Sequence, residues 1–341
     1  MKTIPLVVPI ALSFALLLAW MSSACAGDTH RLHVGSVELM VEMGDDLRAG
    51  ENGAPWREWL TTSLRATQTV TGSFPLENIR IKLRSTSRSS NAIAFGQVRR
   101  SLPPQLHFYV SPDASLEALN ADWRGYHEFA HLLIPFPGND DIWFTEGFAS
   151  YYQYLLQSRA GVISQQRAWK ELLDGFTRGE SDRSGRGQTL RKLSPKMWDK
   201  RAYRRVYWTG AAFFLRVDIR LRTETGGRHS LDRALAAFHD CCLDRHQRWS
   251  AERLIDTLGA LSVPEIWQQE YRRTIDAPAE PRYREALVHL GISRSWRGLQ
   301  LEDSPRARAL RKAIAGVRNM AHAGRLAGPE DTRQDAGSEA P

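Results

Sequence analysis

A chain of 341 residues, 42% hydrophobic and 25% charged, is long enough to bury a sizeable core and too evenly mixed to be fibrous or disordered throughout. Its 46 Lys and Arg outnumber 38 Asp and Glu to give a net charge of +8, but the basic residues are scattered among acids with no stacking module, which argues against a nucleic-acid partner. Three cysteines are too few for a disulfide-framed scaffold.

Residues 1–26 read as a cleavable export signal. Lys2 precedes an apolar run over residues 4–20, and Ala24-Cys25-Ala26 forms an A-x-A cleavage site after Ser22 and Ser23. Pro5, Pro9 and the small-residue end argue against a retained anchor helix. Lipid attachment at Cys25 calls for an aliphatic residue three positions earlier, where Ser22 stands, so a periplasmic or secreted chain without a lipid is expected. Cleavage would leave about 315 residues, enough for one two-lobed unit.

Residues 27–121 read as α/β. Residues 31–41 alternate as a strand, and Trp56, Trp59, Leu60 and Leu64 recur at helical spacing. Ile79, Ile81 and Leu83 alternate with charges, as do Leu106, Phe108 and Val110 after Pro103-Pro104, so a mixed sheet is expected. A further strand over residues 91–98 contains Gly96, where a substrate backbone can approach closely.

Residues 122–323 hold the chemistry. His127-Glu128-Phe129-Ala130-His131 lies in a helical stretch over residues 121–133 that Pro135 and Pro137 end. On a helix, positions i and i+4 lie about 40° apart and one turn along the axis, so both imidazoles can reach one tetrahedral cation. Glu128 points about 100° away from His127, which suits a base acting on water at the metal. A third ligand is needed, and Glu146 stands at the start of a second apolar helix, residues 148–156, that can return beside the first. The alternative, a structural pair of core histidines, is disfavoured by this helical context.

Downstream the pattern is helical, with Ser230, Ser250, Ser262 and Ser304 as N-cap candidates. Residues 179–188, rich in Gly, Ser, Asp and Arg, read as a loop able to act as a lid. Cys241 and Cys242 are expected to be reduced thiols on a helix, since a bridge between adjacent cysteines closes a strained ring. Over residues 306–320, Leu310, Ile314 and Val317 form an apolar face among arginines; packing on the domain is favoured over lying on a membrane. Residues 324–341 read as a disordered tail. Nothing in the sequence sets the oligomeric state.

HEFAH followed by Trp143-Phe144-Thr145-Glu146-Gly147-Phe148-Ala149-Ser150-Tyr151-Tyr152 resembles the gluzincin zinc metallopeptidases, most closely the glycyl aminopeptidase family, in which a histidine pair is followed by W-x-x-E-G-x-x-x-Y. Residues 207–220 are similar to that family's Tyr-x-x-Gly helix, which residues 226–232 follow. The resemblance implies an α+β, thermolysin-like, two-lobed zincin domain, with an N-terminal mixed-sheet lobe, a C-terminal helical lobe and the metal in the cleft between them. It also implies one Zn2+ per chain on His127, His131 and Glu146, with Glu128 as general base. Tyr207 would be the donor to the oxyanion, with Tyr203, one turn earlier, as the alternative, and peptides or proteins would be the substrates. Fourteen residues separate His131 from Glu146, fewer than in the large aminopeptidases, so only the ligand roles carry over. Residues 91–98 lack the carboxylate with which such enzymes hold a free amine, so a peptidase tolerant of blocked N-termini is expected; Asp141 or an acid of residues 179–188 would be the substitute anchor. The competing reading is a catalytically silent peptide- or metal-binding protein on the same scaffold, and the intact Glu128 argues against it.

Overall fold

The computed structural model describes residues 29–44, 47, 55–87, 90–296 and 298–320. The export signal and the C-terminal tail read from the sequence lie outside the described residues. Two strands open the fold, β1 (Thr29–Val34) and β2 (Val37–Met43), then helix α1 (Pro55–Thr71), β3 (Asn78–Ser85), β4 (Ile93–Arg99) and β5 (Gln105–Val110). The single strand expected over residues 31–41 is thus a hairpin. Gly35, at φ 62°, supplies the left-handed turn residue that folds it back.

The five strands form one mixed sheet in the order β1-β2-β3-β5-β4, parallel at β2/β3 and β3/β5 and antiparallel at both ends. Alternation decides which face is covered: Val37, Leu39, Val41 and Met43 of β2 are buried and the residues between them are half-exposed. α1 makes the crossover from β2 to β3 and lays Trp56, Trp59, Leu60 and Leu64 on that face, with the Trp59 ring edge-on to Phe108 at 5.0 Å. β4 is left as an edge strand.

The chain then becomes helical: α2 (Leu116–Ala121), α3 (Trp123–Ala130), α4 (Ile142–Arg159), α5 (Gln165–Ser181), α6 (Leu190–Leu193), α7 (Tyr203–Glu224), α8 (Leu231–Cys241), α9 (Ala251–Ala260), α10 (Pro264–Ile275) and α11 (Arg284–Leu290). A hairpin of β6 (Ile292–Ser295) and β7 (Gly298–Leu301) precedes α12 (Pro305–Ala315). No helix among the described residues is long and apolar enough to cross a membrane. A second core fills this lobe around α4 and α7 and reaches the first through Ala66 and Val70 at the C-terminal end of α1. α4 is apolar nearly all round and buried nearly all round; Glu146 is its one residue that is not buried.

Several boundaries differ from the expectation. Ser230, Ser250 and Ser304 cap α8, α9 and α12, each accepting from the backbone N–H three residues on. Ser262 does not cap; its Oγ accepts from Trp267 Nε1 instead, and Pro264 starts α10. The glycine-rich stretch at 179–188 is helical up to Ser181, and beyond that residue it is tied down rather than free. Asp182 accepts from the backbone N–H groups of Ser184 and Arg205, and the buried Arg205 side chain donates to the carbonyls of Ser184 and Ala279. Residues 179–188 do not line the cleft that holds His127, Glu128 and His131, so a lid there is not what the fold builds. Cys241 and Cys242 are joined in a disulfide, not reduced: α8 ends at Cys241, and Cys242 has left helical geometry with φ −137°. The helix at 306–320 stops at Ala315; Ile314 packs inward while Arg311, buried, donates to the carbonyls of Leu290 and Glu302. Val317 lies beyond the helix and is exposed.

Asp232 ties the helical lobe together. Its carboxylate accepts from Tyr152 Oη at 2.8 Å and from Arg159 Nη2 at 2.9 Å, with Arg222 Nη2 at 3.4 Å. Burial opposes its ionisation, but Arg159, Arg222 and Arg318 outweigh burial and hold the carboxyl below the usual aspartate range. That contribution is complete above the ordinary aspartate pKa and drains away as pH falls through the lowered one. Asp232→Asn leaves the fully buried Arg159 without a counter-charge and is expected to cost about 3–5 kcal/mol in urea unfolding at neutral pH. A loss under about 1 kcal/mol would show that the pair is not what holds α4 to α8.

Candidate active site

Asp122 sets the geometry of the metal-site helix. It caps α3, accepting from Arg124 N at 3.1 Å, and its second oxygen accepts from Ile93 N at 3.2 Å, which pins the start of edge strand β4 to the same point. The helix expected over residues 121–133 is therefore broken at Asp122, and it tightens to a 3₁₀ turn at His131–Leu133. His127 and His131 nevertheless keep their one-turn relation, both buried, with rings edge-to-face at 4.8 Å.

α4 returns across α3 and brings Glu146 to both imidazoles, Oε2 at 3.2 Å from His127 Nε2 and Oε1 at 3.6 Å from His131 Nε2. The three ligand atoms lie within 4.8 Å of one another. The back of each ring is fixed by α4 as well: His127 Nδ1 is hydrogen-bonded with Gln153 Oε1 and His131 Nδ1 with Thr145 Oγ1, both at 2.9 Å. An amide oxygen can only accept, so His127 Nδ1 carries a proton, and its Nε2 is directed at Glu146. The sequence alone singles out neither Gln153 nor Thr145. Their only signal is position, Thr145 just before Glu146 and Gln153 two turns on.

The electrostatics suit a divalent cation. Burial lowers His131 to about 4, leaving its Nε2 free to coordinate at neutral pH. Burial also works against charge on His127, but the hydrogen bond to Glu146 prevails and raises it. Burial disfavours the Glu146 carboxylate too, yet the two histidines hold it ionised well below the usual range. Two imidazoles and one carboxylate in a dry pocket, with their outer atoms hydrogen-bonded, fit zinc at a catalytic rather than a closed structural site.

Glu128 points away from this trio toward β4. A Cβ on Gly96 would stand 2.8 Å from Glu128 Cγ, so the glycine is what lets the carboxylate reach the edge strand. Burial pushes the Glu128 carboxyl up to about 7; His127, Arg100 and a hydrogen bond from the Val98 backbone N–H pull it down, while Glu146 pushes it further up.

Tyr207 arrives from α7. α4 and α7 cross with their backbones nearly touching: a Cβ on Gly147 would lie 2.4 Å from Gly210, and one on Gly210 would lie 2.3 Å from the Trp143 carbonyl. That approach sets the Tyr207 ring parallel to His127, 6.3 Å between centroids, with its phenol in the electrostatic reach of Glu146. Burial, then Glu146, raises the phenol well above its usual pKa, so it stays a neutral donor. Tyr203 leans on Trp198 and lines a different depression. The cleft itself, about 360 Å³, is bounded by Gly96–Val98 of β4, by Trp123, Phe136 and Trp198, and by Arg100 and Arg124. None of these last five side chains is singled out by the sequence.

Fold and ligand trio together resemble the scaffold of the gluzincin metallopeptidases, to which the zinc aminopeptidases are similar. More particularly, residues 137–211, which contain Glu146, Tyr207 and both crossing glycines, match the M61 glycyl aminopeptidase family. The fold resembles an aminopeptidase N family protein from Idiomarina loihiensis, with TM-score 0.61 and 14% identity over 78% of this chain and 49% of that one. Two others are more distant: an M1 zinc metallopeptidase from Deinococcus radiodurans (TM-score 0.47, 17% identity, 73% of this chain and 51% of that one) and leukotriene A4 hydrolase from Saccharomyces cerevisiae (TM-score 0.49, 15% identity, 75% and 40%). The chain spans about half the length of the first of these solved structures. No curated protein matches it in sequence.

Proposed function

We propose that the chain is an exported zinc peptidase that hydrolyses peptide bonds, with one zinc held by His127, His131 and Glu146. The observation that carries this reading is the trio within 4.8 Å, with Glu128 held one helical step away against an edge strand. Bound there, zinc supplies Lewis acidity toward water and the scissile carbonyl. An extended peptide can lie along the open edge of β4; the space that a side chain at Gly96 would fill is taken by Glu128 and Phe108, not left for the peptide backbone. Glu128, poised near neutral pKa, takes the proton of the attacking water and returns it to the departing nitrogen. The Tyr207 hydroxyl donates to the carbonyl oxygen as negative charge builds there. A silent binding protein has no observation in its favour, since base and donor both stand at the trio.

Among the described residues the acids lining the cleft are Glu128 and Glu146 alone. The substitute anchors for a free amine are engaged elsewhere: Asp141 accepts from Ala251 N, Glu180 pairs with Arg284, and Asp182 caps backbone N–H groups. Cleavage therefore does not depend on a substrate's α-ammonium group. One peptide offered free and N-acetylated is expected to be cut at rates within about threefold of each other, because no charge pair is lost. Cleavage confined to the free form would show an amine anchor and make the chain an aminopeptidase. The export proposal is supported by the signal read at residues 1–26 and by a disulfide suited to an oxidising compartment. N-terminal sequencing of the mature protein is expected to begin at Gly27; a start at Met1 would overturn it.

A further inference from the structure

Past the cleft lies a second cavity of about 350 Å³, joined to the first at Arg100 and Phe136, which line both. Its wall carries Arg100, Arg245 and Arg248 and no acidic residue. Buried and half-buried arginines elsewhere are mostly matched by acids: Arg159 with Asp232, Arg216 with Glu270, Arg222 with Asp218. Arg311, which has no such acid, spends its Nη groups on two backbone carbonyls. Arg124, the other cation of the cleft, is neutralised by both oxygens of Asp122. Arg100, Arg245 and Arg248 form no ion pair among the described residues.

Arg100 and Arg245 are held in place without an ion-pair partner, and Arg248 is exposed at the rim. Arg100 lies over the Phe136 ring, 4.7 Å from its centroid. Arg245 donates one Nη to the Leu132 carbonyl, and its buried Nε has no hydrogen-bond partner. Burial and the like charge of Arg100 lower Arg245 to about 10, which still leaves it charged at neutral pH. Two neighbouring guanidiniums repel each other, and an unpaired buried N–H donor is costly, so a planar anion with two acceptor oxygens would relieve both.

We propose that this arginine pocket is a substrate subsite for a carboxylate, so that the peptides taken are acidic ones, with a carboxylate close to the scissile bond. The inference rests on the zinc-peptidase reading for the word substrate, but the pocket and its charges stand without it. Two sources share the chemistry, an Asp or Glu side chain and the C-terminal carboxylate of a short peptide. Arg100 links subsite and reaction centre, because it lines the same cavity as Glu128 and Glu146. Its positive charge also offsets the repulsion that those two acids would exert on an acidic peptide.

The test uses a set of short peptides of one backbone: neutral with an amidated C-terminus, the same with a free C-terminal acid, and amidated forms with Glu or its isostere Gln at each position in turn. Dissociation constants for Glu128→Gln, which binds without turning over, are measured at low salt. At least one acidic member is expected to bind about tenfold or more tightly than its neutral isostere, as a charge-assisted pair gives. Adding Arg100→Gln and Arg248→Gln, both exposed side chains, should bring the ratio near one. A gain from the free C-terminus or from one Glu position identifies the source, and either supports the subsite. Equal affinity for acidic and neutral members, or a preference unchanged without the two arginines, overturns it. Cleavage of the same set by the unsubstituted protein separates the two claims: selective binding without cleavage removes the peptidase reading and leaves the pocket, while cleavage without selectivity does the reverse.

Discussion

Glu128→Gln is expected to keep its zinc and its fold and to lower kcat by about two to four orders of magnitude, the range that a positioned general base supplies. The amide has nearly the shape of the acid, so the approach to Gly96 is disturbed little. What it cannot do is accept a proton from water. Glu128 contributes no ligand atom to the trio, so metal content should remain that of the parent. A variant that hydrolyses peptides at the parent rate would place the base elsewhere, and the alternatives in the cleft are few, since Glu146 is spent on the two histidines.

Ligand removal is expected to act on a different quantity. His127→Ala, His131→Ala or Glu146→Ala should each weaken zinc binding by more than the roughly 10–100-fold that loss of an outer-shell partner costs, with activity falling in step. Gln153→Ala should fall within that smaller range, because it frees the His127 ring to turn without removing a donor atom. Elemental analysis of the four purified variants checks the ordering. Zinc retained as tightly in Glu146→Ala as in Gln153→Ala would mean that Glu146 is not a ligand and that a third donor has been overlooked.

The features legible in the sequence are those that short range dictates. The His127–His131 pair, the aim of Glu128 and the caps at Ser230, Ser250 and Ser304 come from helix geometry over four residues or fewer, and the three serines cap as expected. Glu146 is legible because Trp143 and Gly147 flank it in a spaced pattern. The glycines have the clearest physical reason: α4 meets α7 through Gly147 and Gly210, and only that close approach brings Tyr207 to Glu146. Illegible features are those set by distant segments. The strand at residues 31–41 folds at Gly35 because its second half pairs with β3, and the zinc helix breaks at Asp122 because that side chain also holds β4. The loop after Ser181 is immobilised by Arg205 and Ala279. Arg100 and Arg245, far apart in sequence, meet only once α3 and the segment after α8 are packed, so composition can show a basic chain but not where its charge is left unpaired.

If zinc at His127, His131 and Glu146 makes this chain a peptidase, activity must track the metal. Cleavage of a broad peptide library by the purified protein, first as isolated, then stripped with a chelator, then given one equivalent of zinc, decides the matter. Products should appear, vanish with the metal and return with the single equivalent. Cleavage that persists after the metal is gone, or its absence throughout from protein shown to hold one zinc, would contradict the assignment.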